Sequence, residues 1–140
     1  FMNHKMPAYI DTGLNLIDVV DCARGHILAE AKGQPGERYI LGNKNMSLKE
    51  ILLTLEVLTG IKAPRIKMPY WVAYLAGSAC EWISNSITHQ PPSVPLAGVK
   101  MAKYFMYFDS SKAVRELGLP QNSVKNALGK AVSWFRENSI

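Results

Sequence analysis

Apolar positions recur along the chain mostly at helical spacing, in runs punctuated by Gly, Pro and side chains suited to capping. Met6-Pro-Ala-Tyr-Ile10 and Leu14-Asn-Leu-Ile-Asp-Val19 flank Asp11-Thr12-Gly13. A short Gly-containing connection of this kind closes a β-hairpin with a residue at positive φ, which predicts two short paired strands. Asp21 stands just before Cys22 to Ala31, where its carboxylate can accept the free amide hydrogens of a helical first turn, and Gly33 ends that helix. Gln34-Pro35-Gly36 reads as a turn. Arg38-Tyr-Ile-Leu41 shows no polar alternation, the pattern of a strand covered on both faces, and Gly42 closes it. Strand, helix, strand over Leu14 to Leu41 predicts parallel pairing by a right-handed crossover. The neighbour of Arg38 to Leu41 is expected outside this chain.

Further on, Ser47-Leu-Lys-Glu50 is a capping box ahead of the apolar stripe Ile51, Leu52, Leu55 and Leu58, and Gly60 stops the helix. Arg65-Ile-Lys-Met68 is a candidate short strand. From Pro69, the positions Trp71, Val72, Leu75, Ala79 and Ile83 fit a largely buried helix. A loop with His89 and Pro91-Pro92 follows, and Ser93 is placed to cap a helix running to about Lys103. Tyr104 to Phe108 reads as extended. Asp109 caps Ser110 to Leu117 before Gly118, and Ser123 caps a last helix with Ala127, Leu128, Ala131, Trp134 and Phe135 on one face. Five or six helices with three to five short strands make a mainly helical α+β protein, a single domain over residues 1–140. A doubly wound sheet needs about five or six alternating βα units, more than this pattern supplies.

Composition narrows the function classes. An apolar fraction of 48% and a charged fraction of 19% exclude a disordered or fibrous chain. The net charge of +5 is scattered in sequence, and neither zinc-finger spacing nor an RNA-binding signature accompanies it, so no nucleic-acid partner is expected. Cys22 and Cys80 lie far apart without a C-x-x-C partner, which predicts buried free thiols in a reducing cytoplasm. Phe1 to Pro7 lack the design of a signal peptide. Met68 to Ile83 is the most apolar window, but it is too short for a membrane span and is interrupted by Glu81. The expected location is cytoplasmic, with a peripheral membrane contact as the lesser reading.

One ordered set of segments carries a resemblance. Asp21-Cys-Ala-Arg-Gly-His26, Gly36-Glu-Arg-Tyr-Ile-Leu-Gly42, Ser47-Leu-Lys-Glu-Ile51, Ser111-Lys-Ala-Val-Arg-Glu-Leu-Gly118 and Ala127 to Phe135 together resemble the second half of extended short-chain dehydrogenase/reductases of the NAD-dependent epimerase/dehydratase type. Within that superfamily, Met6-Pro-Ala-Tyr-Ile-Asp-Thr-Gly-Leu-Asn15 is most similar to the dihydroflavonol-4-reductase-like group, the hopanoid-associated sugar epimerases in particular. The resemblance implies the substrate-binding portion of a Rossmann-type enzyme without the Rossmann core, the C-terminal part of a longer protein that uses NAD or NADP. It also implies hydride transfer in which a Tyr-x-x-x-Lys pair handles the proton, the lysine lowering the tyrosine pKa.

That pair is missing, because none of the six tyrosines is followed at the fourth position by lysine. Gly33-x-x-Gly36 is the nearest approach to a dinucleotide loop; it follows a helix, precedes a strand and lacks the third glycine, so it reads as a plain reverse turn. No catalytic, cofactor-binding or metal-ligating residue is therefore expected in this chain, and it is expected to be inactive alone. Family enzymes acting on nucleotide sugars show an arginine in an Arg-Asp-Tyr-Ile-His-Val stretch, where it grips a diphosphate. The corresponding Leu14-Asn-Leu-Ile-Asp-Val19 has none, and a second family arginine is replaced by the apolar helix from Pro69 to Ile83. Both departures favour a less charged, partly apolar substrate.

Tyr9, Asn15, Lys100 and Tyr104 are the candidates to line the substrate pocket, since pockets need a few polar groups amid apolar walls. Each has a plainer reading: Tyr9 and Tyr104 as half-buried packing groups, Asn15 as a strand-edge polar group, Lys100 as a solvated charge. His26 and His89 are read as helix and loop residues. The expected partners are the small-molecule substrate, the missing Rossmann half and, through the apolar face left bare without it, further copies of this chain. The alternative is a free-standing module binding an apolar small molecule or a protein. An independent hydrolase ranks last, for want of a G-x-S-x-G elbow or a metal cluster.

Overall fold

The computed structural model describes residues 1–3, 6–84 and 96–138, the side chain at position 83 excepted. In chain order the elements are β1 (Ala8–Ile10), β2 (Gly13–Leu16), α1 (Val19–Lys32), β3 (Lys44–Ser47), α2 (Leu48–Thr59), β4 (Ile66–Met68), α3 (Tyr70–Ile83), α4 (Leu96–Met101), α5 (Ser111–Leu117) and α6 (Val124–Glu137). The mainly helical α+β class is as the sequence pattern predicts, with two separate two-stranded pairs and no continuous sheet among the described residues.

The strand pairing differs from expectation. β1 does not fold back on β2; it runs parallel to β4, with Ala8, Tyr9 and Ile10 beside Ile66, Lys67 and Met68. β2 pairs antiparallel with β3, Gly13 against Ser47 and Leu16 against Lys44. Tertiary partners claim both ends of the supposed turn. The Thr12 carbonyl accepts the Leu48 amide at 2.8 Å, and Asp11 forms an ion pair with Lys67 across the β1–β4 ladder. The expected parallel crossover over Leu14 to Leu41 is therefore absent, and the ladder strand after α1 is Lys44–Ser47, not Arg38 to Leu41. Arg38 to Leu41 makes no ladder among the described residues, although Tyr39 and Leu41 still pack inward. Of Tyr104 to Phe108, only Met106 bridges, parallel to Leu14, its amide donating to the Gly13 carbonyl at 2.9 Å.

Helix starts differ in part from expectation as well. α1 begins at Val19 because Asp18 caps it, its carboxylate accepting the Val20 amide at 2.9 Å; Asp21, expected as the cap, is fully buried inside the first turn. The capping box of Ser47 and Glu50 forms as expected, and Gly60 closes α2 in the left-handed region. Asp109 does accept the Ser111 amide at 2.9 Å, but α5 starts at Ser111 with Ser110, not Asp109, at its cap position, and Ser123 precedes α6 without a side-chain capping hydrogen bond. Ser93, His89 and Pro91-Pro92 lie outside the described residues. Both cysteines are free, but each is half-buried, not buried.

Two small cores hold these elements. Met46, Ile51 and Val124, with Leu14, Leu16, Leu55 and Leu128 around them, join β2 and β3 to α2 and α6. Ala113, Leu117 and Leu119 pack against Ile17, Leu28, Ala29, Tyr39 and Leu41, joining α1 to α5. α3 stands apart from both. It packs on α4 through Ala73 and Gly77, and a Cβ at Gly77 would lie 3.3 Å from the Val99 side chain. The largely buried helix expected here is instead buried on one narrow side only, with Trp71 and Leu75 open to solvent.

Candidate functional site

The segment from Gly13 to Asp18 passes between the two cores, and an asparagine network ties it to two other parts of the chain. The Asn15 amide donates to Asn45 Oδ1 at 2.7 Å and to the Phe108 carbonyl at 3.3 Å, while its oxygen accepts the Asn43 amide at 3.1 Å. Asn45 in turn donates to the Phe108 carbonyl and accepts the Phe108 amide, each at 3.1 Å. Asn15 is thus fully engaged as a strut. Gly42 has to be glycine beside it, since a Cβ there would lie 2.4 Å from Asn15 Oδ1.

A second polar cluster fastens the loop before α6. Asp21 accepts the Asn122 backbone amide at 2.8 Å and the Asn122 side-chain amide at 2.6 Å. Asn43 donates to the Asn122 carbonyl, and Gln121 donates to the Gly42 carbonyl. Asn43, Gln121 and Asn122 border a polar cavity of about 420 Å³ that also takes in Lys44, Thr54 and Lys125. Asn43, Asn45, Gln121 and Asn122 escaped the sequence reading. The signal was the amide-rich pair of loops, Gly42-Asn-Lys-Asn45 and Pro120-Gln-Asn-Ser123, each beside a glycine or a proline.

Two further hollows are apolar grooves along α6. One, of about 490 Å³, lies between Leu16–Val19 and the α6 face of Ala127, Leu128, Ala131, Trp134 and Phe135. The other, of about 370 Å³, lies between that helix, Leu55 and the opening residues Phe1 to Asn3. The first holds one charged pair, Asp18 Oδ2 to Lys130 Nζ at 2.6 Å. The hydrogen bond from Lys130, followed by that from the Val20 amide, holds the Asp18 carboxyl below its ordinary range, so it is an engaged anion and not a proton donor.

The four candidate pocket residues are not gathered into one cavity. Tyr9 borders a small hollow of about 140 Å³ with Lys49, Leu52, Ala63 and Arg65. Lys100 is exposed near the end of α4, and Tyr104 is exposed just beyond it, its backbone carbonyl accepting from the Thr12 hydroxyl at 3.4 Å. His26 is a helix residue, its Nδ1 2.9 Å from the Cys22 carbonyl, and Gly33 to Gly36 is a reverse turn in which the Glu37 amide donates to the Gln34 carbonyl. Among the described residues, no three His, Cys, Asp or Glu side chains converge as a metal-binding set, and no helix is long and apolar enough to cross a membrane.

No protein-family model matches the sequence. Similarity to individual proteins is extensive. The chain is 47% identical over 145 aligned positions to a putative dihydroflavonol 4-reductase from Synechocystis sp., a match that takes in 99% of this chain and 41% of that protein. It is 28% identical to sterol demethylase protein B from Methylococcus capsulatus, across 100% of this chain and 43% of the relative. The crystal structure of a nucleoside-diphosphate-sugar epimerase from Pseudomonas aeruginosa superposes with a TM-score of 0.76 at 26% identity, over 97% of this chain and 39% of that one. The chain therefore spans about two fifths of the length of the curated relatives it matches. Agreement along the whole chain, in sequence with a putative reductase and in fold with an epimerase, is what the resemblance to the C-terminal part of an extended short-chain dehydrogenase/reductase implies.

Proposed function

We propose that this chain is the substrate-side portion of an NAD(P)-dependent reductase or epimerase of the dihydroflavonol-reductase-like group, and that it does not turn over by itself. The observation that carries this reading is the end-to-end match at 47% identity to two fifths of a putative reductase. Hydride transfer needs a nicotinamide held on a glycine-rich strand-to-helix turn and a tyrosine with a lowered pKa, and these 140 residues contain neither motif. The remaining three fifths of such a protein would supply both. Arg38 to Leu41 is suited to receive that half: Tyr39 and Leu41 are anchored in the core, Ile40 faces out, and the backbone edge makes no ladder among the described residues. Taken alone, the chain would cover such bare surfaces by self-association.

The substrate is apolar or weakly charged rather than a nucleotide diphosphate. Leu14 to Val19 offers no arginine, its one carboxylate is engaged by Lys130, and the groove beside it is walled by aliphatic and aromatic side chains. The likeness to a protein named for sterol demethylation points the same way. Lys100 and Tyr104, exposed at neighbouring positions, are the residues placed to touch substrate once the other half closes over them, and Tyr9 borders a smaller hollow. Asn15 acts through the backbone it braces.

The test is titration of NADH and NADPH into this chain and into the longer polypeptide that contains it, followed by fluorescence. Binding by the longer polypeptide alone is expected, and tight binding by this chain would overturn the assignment. Turnover of the longer polypeptide with apolar ketones set against nucleotide sugars checks the substrate class. Light scattering reads the self-association, which a clean monomer at high concentration would refute.

A further inference from the structure

We propose that α3 is an interfacial anchor that seats this protein on an anionic lipid bilayer. Ala73, Gly77 and Ser84 turn inward on this helix. On the opposite side, at i, i+4 and i+11 spacing, Trp71, Leu75 and Trp82 are 65%, 60% and 64% exposed, with Tyr74 at the margin. Three of those four are aromatic. An isolated exposed leucine means little, but a stripe of large apolar groups running the length of a helix marks an interaction surface. α4, packed on α3, leads into Met101 and Phe105, which are exposed too.

Charge identifies the occupant. Between Val57 and Phe108 the cations Lys62, Arg65, Lys67, Lys100 and Lys103 accompany a single carboxylate, Glu81, so this stretch holds four of the five excess positive charges of the chain. Arg65 and Lys67 are paired with Glu56 and Asp11, and Lys100 is assigned to the substrate, while Lys62 and Lys103 have no ion pair among the described residues. Tryptophan and tyrosine settle at the headgroup level of a membrane, and flanking lysines reach anionic headgroups from there. α3 has 14 residues and does not qualify as a membrane span, so it would lie in the plane of the interface with its aromatic side down. The bare edge suited to the cofactor half, Arg38 to Leu41, belongs to the α1–α5 core, whereas α3 packs on α4.

The experiment is co-sedimentation of the longer natural polypeptide with phosphatidylcholine vesicles, with and without phosphatidylserine. Binding to the phosphatidylserine vesicles, weakened by salt, is expected. Leu75→Glu combined with Trp82→Glu abolishes it, and Lys103→Gln weakens it about fivefold, the worth of one lysine near a charged surface. Both glutamates replace exposed side chains, so an unchanged circular dichroism melt establishes that the variant is folded. Absence of sedimentation, or sedimentation indifferent to the double variant, overturns the proposal. So does a dimer that the double variant splits without any vesicle effect, which would give the face to a second copy. Nicotinamide binding in solution is unmoved by these substitutions, so failure here is separable from failure of the proposed function.

Discussion

Asp21 is the residue whose role changed most between sequence and structure, and its removal tests whether the polar cluster holds the fold together. The side chain is fully buried and accepts two hydrogen bonds from Asn122, spanning 101 residues of chain and fixing the start of α6 against α1. Asparagine in its place keeps one oxygen acceptor and turns an NH₂ toward the other donor. A hydrogen bond to a charged group contributes about 1.5–3 kcal/mol, and Asn122 is exposed, so its freed donor returns to water instead of being stranded. Losing one bond and the charge on the other, offset by relief of the buried charge, costs about 2 kcal/mol. Asp21→Ala removes both acceptors and leaves a small void, raising the cost to about 3 kcal/mol. At 140 residues, 2 kcal/mol lowers Tm by roughly 6 °C. Urea and thermal unfolding followed by circular dichroism give the number, with Glu30→Gln, exposed on the same helix, as the control. If Asp21→Asn unfolds within about 0.5 kcal/mol of the unchanged chain, the cluster is ornament and the cross-chain tether is wrong.

Two further outcomes follow from the same packing. Gly25 sits in α1 where a Cβ would lie 2.7 Å from the Leu119 side chain and 2.9 Å from that of Leu41. Gly25→Ala gains about 1 kcal/mol of helix propensity but overpacks at a cost of about 1–3 kcal/mol, so a net loss near 1 kcal/mol is expected in urea melts. A stabilised variant would show that Leu41 is loosely seated. Asp18, Glu50 and Asp109 are held below their ordinary values by hydrogen bonds from Lys130, Ser47 and the Ser111 amide respectively. The unfolded chain then binds more protons than the folded one as pH falls through the ordinary values of 3.8 to 4.5, so that part of the stability is whole above this range and lost below it. Lys67 and Lys112 are raised by Asp11 and Glu37, and their share is lost as pH climbs beyond 10.5. Urea midpoints measured against pH should be level between these limits, and Ser47→Ala should blunt the acid-side fall by freeing Glu50.

How much was legible in the sequence depended on the range of the interaction that decides each feature. The capping box at Ser47, the turn at Gly36 and the stop at Gly60 are settled within a few residues, and all three were readable. Asp18 and Asp21 both stand near the start of α1, and local chemistry cannot choose between them. The choice is made by Lys130 and Asn122, more than a hundred positions away, which engage one carboxylate each. The supposed hairpin failed for the same reason: Asp11-Thr12-Gly13 is good turn chemistry, but Lys67 and Leu48 take its side chain and its carbonyl. Of the four pocket candidates, Asn15 is the one whose side chain is engaged within the chain, by backbone and by another asparagine, which no local pattern announces.

α3 carries the broader lesson, because there the apolar pattern was read correctly and its meaning was not. A helix with nothing charged from Met68 to Cys80 resembles a core helix, and only the packing reveals that its aromatic side is not taken up by the described residues. The same holds for Arg38 to Leu41, a strand by composition that finds no ladder among the described residues. In both places local preference and tertiary structure disagree, and a folded chain tolerates such disagreement where a further surface resolves it. The two sites call for different surfaces. An extended edge with alternate side chains anchored in the core demands backbone hydrogen bonds, which another strand of protein supplies. A stripe of tryptophan, leucine and tyrosine, in a stretch of sequence with an excess of lysine, calls, on the proposal above, for depth and negative charge, which a bilayer would supply. Backbone amide protection at Ile40 should therefore follow the presence of the longer polypeptide and ignore vesicles, while quenching of Trp71 and Trp82 should follow vesicles in either form of the protein. If both signals move together, the two surfaces are one.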